Sequence, residues 1–366
     1  MKARSGSRVA VALSGGVDSA VAALLLKESG HEVVGVFLHL GTYGTAPSSG
    51  DSIRHEENAR HVASRIGIDF VSLDLKSAFR TEIVDYFVSE YLSGRTPNPC
   101  ARCNVRIKFK ALLDRRQELG ADRIATGHYA RIETGPDRRL HLLAGSDRAK
   151  DQSYFLFAMT QQQLAATVFP IGPLTKEETR RIAENAGLGA EERAESQDIC
   201  FLPAGGYQEF IRTRRPDALA GPGDIVDLEG NVLGRHDGLF SYTVGQRRGL
   251  GIASKSPLYV VRLDVSGNRV VVGSEPDLSA GGLVAGGVNW IVDPARIKGK
   301  KCLARIRYRH RGVPSMLEPM EGDRVRVVFD RPEPAVAPGQ AAVFYDQDVV
   351  LGGGWIDEAL PAETKA

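Results

Sequence analysis

Cysteine is scarce in this chain, four in 366 residues, which excludes a scaffold built on disulfides. The four thiols are expected instead to be catalytic, metal-bound or structural. Long apolar runs are missing as well: no stretch reaches the roughly 18 residues that a membrane-crossing helix needs. The N-terminal MKARSGSRVAVAL turns into a strand pattern too early for a signal peptide, so a soluble, cytoplasmic chain with no membrane partner is expected. A surplus of one charge is nearly absent, with 47 Lys and Arg against 45 Asp and Glu, so any nucleic-acid surface must be local. There is no internal repeat and no low-complexity tract. The length exceeds what one hydrophobic core usually supports, and two or three domains are expected.

Up to about residue 200, apolar runs alternate with amphipathic stretches. VAVAL (9–13), EVVGVFLHL (32–40), DFVSLDL (69–75) and DRIATGHYA (122–130) read as strands. Helices are expected from Ser19, Glu56, Ser77 and Val105, and in TKEETRRIAENAG, where Thr175 and Glu178 form a capping-box pair and Gly187 a stop. Strands separated by helices imply an α/β fold, a doubly wound parallel sheet covered on both faces. Beyond about residue 205, GPGD, LEGN, GRHDG and VSGN punctuate short β-branched runs, the pattern of small all-β domains. The expected division is 1–210 for the α/β domain, 211–280 for a small central β-rich domain and 281–366 for a C-terminal β-barrel.

Between the first strand and the first helix stands SGGVDS, from Ser14 to Ser19. Glycines there let a backbone approach phosphate, and free amides at a helix start favour an anion. The string lacks the GKS/T ending of the Walker loop and the third glycine of the dinucleotide fingerprint, so kinase, GTPase and dehydrogenase readings lose support. SGGVDS resembles the signature of the ATP pyrophosphatase (PP-loop) family, adenine nucleotide alpha hydrolase-like in fold, which splits ATP between its α and β phosphates and adenylates a carbonyl oxygen. The resemblance implies that Ala12, Leu13, Ser14, Gly15, Gly16, Val17, Asp18 and Ser19 hold ATP, with Asp18 also serving Mg2+. Leu38 and Gly127, at the carboxyl ends of two further strands, are expected against adenine and ribose. His39 and His128 sit at the same edge, where a lone histidine is more often structural than catalytic.

TPNPCARCN, from Thr96 to Asn104, carries Cys100 and Cys103. Arg102, Arg106 and Lys108 flank a helix start there, an arrangement expected to lower the Cys103 pKa. Cys200, in ESQDICFLP, reads locally as a buried apolar residue. Cys302 reads as structural. SGGVDS, TPNPCARCNVRIKF, ATGHYA, KDQSYFL, SQDICF, YTVGQRRGLGI, RIRYRHR and FDRPEPAVAPGQAAVFYD together, in order along nearly the whole chain, resemble the tRNA-specific 2-thiouridylases of the MnmA/TrmU type.

That resemblance implies a transferase that adenylates the C2 carbonyl of the wobble uridine in tRNA and replaces its oxygen with sulfur. Cys103 would be the nucleophile and Cys200 the carrier of persulfide sulfur from a relay protein or other donor, the two ending as a disulfide. Many members carry Asp where this chain has Cys100. Cys100 would then act in proton transfer, or Cys100, Cys103 and Cys200 would ligate an iron–sulfur cluster that delivers sulfide. Asn98, Pro99 and Cys100 would border the base, while Lys150, Asp151, Gln152, Arg307 and Tyr308 would contact tRNA. No DNA partner is implied. LARIRYRHR also reads on its own as a strand with Arg305, Arg307, Arg309 and Arg311 along one face, and Arg247 and Arg248 form a second basic loop. Rival readings are a PP-loop amidotransferase or ligase, which has no use for the cysteines, and a non-catalytic tRNA-binding protein.

Overall fold

The computed structural model describes residues 6–43, 49–188, 199–203, 205–218 and 220–362, with backbone alone for 49–53. Two compact units emerge. The first comprises residues 1–83, 100–203 and 348–350, and the second residues 84–99, 204–347 and 351–366.

The first unit is built on a parallel sheet of β1 (Arg8–Ala12), β2 (Glu32–His39), β3 (Asp69–Asp74), β4 (Arg123–Ala125) and a two-residue strand after the hairpin β5 (Ala130–Thr134) and β6 (Leu140–Ala144), namely β7 (Thr167–Val168). The order is β3-β2-β1-β4-β7. Val9, Ala10 and Val11 are fully buried, as expected for a strand covered on both faces. The chain runs outward one way from β1 to β2 and β3 and the other way to β4, so the switch point lies between β1 and β4. A ligand crevice is expected outside the carboxyl ends of those two strands. The helix Val17–Glu28 follows β1 directly and buries Ala20, Val21, Ala22, Ala23 and Leu26 in the core.

Two sequence expectations change in detail. DRIATGHYA is a three-residue strand, an irregular turn and then the start of β5, rather than one strand. The helices expected from Ser77 and Val105 are each interrupted by π-helical turns, Arg80–Asp85 and Asn104–Phe109. Side-chain periodicity cannot report that change of hydrogen bonding, and π turns often mark functional positions. The helix Lys176–Asn185 carries the full capping box: the Glu178 amide donates to Thr175 Oγ1 at 3.1 Å and the Thr175 amide to Glu178 Oε2 at 2.7 Å.

In the second unit, β8 (Gly223–Val226), β9 (Val232–His236), β10 (Tyr259–Asp264) and β11 (Arg269–Gly273) form a four-stranded sheet ordered β10-β11-β8-β9. Ile225, Leu239, Val260, Val270 and Val272 fill its core. Then β12 (Ser279–Trp290), β13 (Lys301–Arg305), β14 (Val313–Pro319), β15 (Val325–Pro334), β16 (Ala341–Asp346) and β17 (Val349–Pro361) close into a six-stranded barrel, with β12 pairing antiparallel to both β15 and β17. Leu283, Val313, Leu317, Val327 and Phe344 are fully buried along its strands.

Candidate active site

The loop after β1 folds on itself through its serines. The Ser14 amide donates to Ser19 Oγ at 3.2 Å, the Ser19 hydroxyl donates to the Gly16 carbonyl at 3.0 Å, and the two hydroxyls lie 3.2 Å apart. Gly15 adopts φ +81°, a left-handed conformation that side chains resist, and a Cβ there would press on the His55 carbonyl at 3.0 Å. Gly127 packs its Cα against the start of the first helix, since a Cβ would lie 2.7 Å from the Ser19 nitrogen and the Asp18 carbonyl carbon. Glycine is thus required where β4 ends for a reason the sequence did not reveal: it lets β4 abut the loop. Leu38 is half-buried at the end of β2.

Asp18 is tied on two sides. The Lys176 ammonium contacts both carboxylate oxygens, at 2.8 and 2.9 Å, and the Tyr129 hydroxyl donates to Oδ1 at 2.9 Å. Neither Lys176 nor Tyr129 was singled out from sequence. Tyr129 lay within the ATGHYA motif, and Lys176 at the first helical position after a strong N-cap; those were the available signals.

Cys100, Cys103 and Cys200 lie in the same unit. Pro99–Cys103 is helical and continues into the π turn, so Cys103 lies inside a helical run and gains nothing from a helix N-terminus. Its thiol is pushed up to about 12, chiefly by burial, with Lys108 countering and Cys200 and Cys100 adding to the rise. The expected lowering of the Cys103 pKa is therefore corrected. Arg102 does not face the sulfurs, because its guanidinium donates to the Glu82 carbonyl at 2.8 Å and to its carboxylate at 3.2 Å, and Arg106 is exposed.

Cys100 and Cys200 are exposed, yet surrounding protein desolvates both thiols. Cys100 rises to about 11, first from desolvation and then from the neighbouring Cys200. Cys200 also rises through desolvation, with Lys108 opposing. Lys108 is the cation that acts on all three. Cys200 sits in a turn closed by the Leu202 amide on the Ile199 carbonyl and anchored by Phe201 edge-on to Phe79. The preceding Ser196–Asp198 of SQDICF lie outside the described residues. All four cysteines are free, and Cys302 is buried in β13.

The turn after β4 packs on the SGGVDS loop. Gly127 abuts the loop, Tyr129 holds Asp18, and His128 between them lies within the field of Lys108. His128 is held neutral, its pKa pushed down to about 3 by burial first and Lys108 second, and it bonds Thr126 Oγ1 at 2.6 Å. That makes it a fixed polar group, in keeping with the structural reading of strand-end histidines.

Of the three residues 150–152, Lys150 is half-buried and Asp151 turns inward, its carboxylate taking the Gly145 and Ser153 amides at 3.1 and 3.0 Å. Gln152 is paired with the Tyr129 backbone, accepting from its amide at 3.1 Å. Asp151 and Gln152 thus shape the turn beside the loop.

In the second unit Asn98 and Pro99 are buried. Their loop is held by Gln340, whose amide donates to the Thr96 and Pro97 carbonyls at 3.1 Å each, and by the Thr96 amide on the Pro338 carbonyl at 2.7 Å. RIRYRHR is not the expected continuous strand. β13 ends at Arg305, Ile306 is buried, and the His310 amide closes a turn on the Arg307 carbonyl at 3.0 Å. Arg307 and Tyr308 are consequently on an exposed turn, while Arg305 stacks on the Tyr345 ring at 4.4 Å. Gly312, at φ +95°, supplies the reversal that breaks the strand. Arg247 and Arg248 are exposed.

Family domain models match the chain in three segments: a tRNA methyl transferase HUP domain over residues 7–204, a tRNA methyl transferase PRC-barrel domain over 208–274, and an aminomethyltransferase beta-barrel domain over 280–356. Curated relatives match along their whole length. The tRNA-specific 2-thiouridylase MnmA of Geobacter metallireducens is 49% identical, covering 98% of this chain and 99% of the relative. Those of Geotalea uraniireducens and Syntrophotalea carbinolica are 48% and 50% identical over 100% and 95% of the chain and 98% of each relative. The chain belongs to the tRNA-specific 2-thiouridylase family.

The possible cofactors differ in fit. Asp18 offers the carboxylate oxygen that a hard divalent ion such as Mg2+ takes alongside phosphate. For an iron–sulfur cluster the fit is poor: among the described residues no three His, Cys, Asp or Glu side chains converge as a ligand set. No described helix is long and apolar enough to cross a membrane.

Proposed function

We propose that this chain is an ATP-dependent tRNA uridine 2-sulfurtransferase acting by persulfide relay. The observation that supports this reading is the mutual influence of Cys100, Cys103, Cys200 and Lys108 within the unit that also holds SGGVDS. The reaction begins with attack of the wobble uridine O2 on the α phosphorus of ATP, releasing pyrophosphate; Ala12–Ser19 hold the phosphates, Asp18 would ligate a Mg2+ that would offset their charge, and Leu38 and Gly127 border the nucleoside. The terminal sulfur of a persulfide on Cys200, loaded by a relay protein or other persulfide donor, attacks C2 and AMP leaves. The Cys103 thiolate then attacks the Cys200 sulfur, breaking the S–S bond to the transferred atom and leaving a Cys103–Cys200 disulfide, which an external dithiol reduces. Iron-borne sulfide, the alternative, finds no support in the ligand geometry. Methyl transfer, the wording of two domain models, gives no role to the grouped thiols.

Cys100, with a thiol at about 11, stays protonated near neutrality and is suited to donate a proton rather than to act as the base a carboxylate would be. Asn98 and Pro99 border the flipped base, and Lys150, Arg307 and Tyr308 grip the anticodon stem and loop, whose unpaired bases are inexpensive to splay out. The functional partition is 1–210, 211–280 and 281–366, and the setting is the cytoplasm.

The test is Cys103→Ser and Cys200→Ser, assayed for thiolated tRNA by mercury-gel mobility and for tRNA binding. Each variant should lose thiolation while retaining tRNA affinity within about twofold, because neither thiol anchors phosphate. Normal thiolation by either would refute the relay.

A further inference from the structure

Lys176 approaches the pyrophosphate loop from outside it. Its Nζ lies 2.8 and 2.9 Å from the Asp18 oxygens and its side chain is 13% exposed. Burying an ammonium is expensive, and a pair that served only to pin a helix could be made of apolar groups at less cost. The backbone of Lys176 is fixed independently of that ion pair. Its amide donates to Asp147 Oδ2 at 3.0 Å, and the Thr175–Glu178 capping box fixes the turn around it. Only the four-carbon stem is left to move, the property that suits lysine as a mobile point charge for phosphate. Asp18 lies in the first turn of the helix whose start, with the loop amides, favours an anion.

We infer that Lys176 is a phosphate-binding residue of this loop, held beside it by Asp18 and Tyr129, and that it exchanges the carboxylate for β and γ phosphate oxygens when ATP enters. The inference rests on the ATP reading of SGGVDS. It predicts a discrimination a structural clamp would not give: Lys176 contributes to ATP and to pyrophosphate but nothing to AMP, which lacks those phosphates.

The experiment is equilibrium dialysis of the full chain with labelled ATP, AMP and pyrophosphate, for the native protein, Lys176→Met and Lys176→Arg. Loss of a charge-assisted contact corresponds to about a 10- to 100-fold weakening of ATP and pyrophosphate in Lys176→Met. AMP should stay within about twofold, which also shows that the crevice has folded, and Lys176→Arg should recover most of the ATP affinity. Undiminished ATP affinity in Lys176→Met, or an equal loss for AMP, overturns the inference. Native protein that binds no ATP overturns instead the reading on which it rests.

Discussion

Cys100 combines an exposed position with a thiol pKa of about 11, and that combination makes its chemistry measurable apart from simple shielding. An ordinary cysteine with a pKa of about 8.5 is roughly one quarter thiolate at about pH 8, whereas a pKa of about 11 leaves about one part in a thousand. Cys100 should therefore react with iodoacetamide about 200-fold more slowly than a free peptide thiol at about pH 8. Quenched alkylation followed by peptide mass spectrometry reads each cysteine separately. The diagnostic is the shape of the profile: the rate should climb about tenfold per pH unit from about pH 8 to about pH 10, where the free thiol has already levelled off. Because Cys200 is the second cause of the rise and Lys108 opposes it, Cys200→Ser should move the Cys100 profile to lower pH and Lys108→Met to higher pH. A plateau by about pH 9, or no response to either substitution, would refute the account of a desolvated thiol cluster offset by one lysine.

Two further predictions concern the second unit. Replacing Arg307, exposed on its turn, by Ala should weaken tRNA binding and lower the slope of log affinity against log salt by about 0.7 to 0.9, with ATP affinity unchanged; identical slopes would remove Arg307 from the tRNA surface. Cys302 is raised to about 12 by burial and then by Asp346 and Asp330, so its unfolded form ionises first and stability falls as pH climbs above about 8.5. By about pH 10 that thiol should cost about 2 kcal/mol, and urea unfolding of Cys302→Ala should show a pH dependence smaller by that amount. Equal pH dependence in both proteins would contradict the burial argument.

What could be read from the sequence was what repeats locally. β1, β2 and β3 announce themselves as apolar, strand-like runs, and Thr175 with Glu178 as a cap, because each depends on neighbours within a few residues. The strand expected at RIRYRHR failed for a local reason of the same kind: Gly312 and the Arg307–His310 turn outrank an alternation of arginines that also suits a loop. The thiol pKa failed for a different reason. Flanking cations in sequence suggested activation, but Arg102 spends its charge on Glu82 and burial exceeds what Lys108 supplies. Sequence counts charges without showing where they point.

The same limit explains why Lys176 was missed while Asp18, its partner 158 residues away, was found. Asp18 belongs to a string whose chemistry is dictated by its own backbone, whereas Lys176 acquires a role only through the fold that returns the helix Lys176–Asn185 to the first helix. The residues of the turn after β4 show both situations at once. Gly127 could be suspected from its place at a strand end, but the reason for it, a Cβ 2.7 Å from the Ser19 nitrogen, exists only in three dimensions. Adding a methyl group there would push the turn after β4 off the loop, and with it Tyr129 from Asp18. One glycine thus sets how closely the turn after β4 meets the start of the first helix, and through Tyr129 it bears on Asp18, two contacts that no reading of neighbouring residues could reveal.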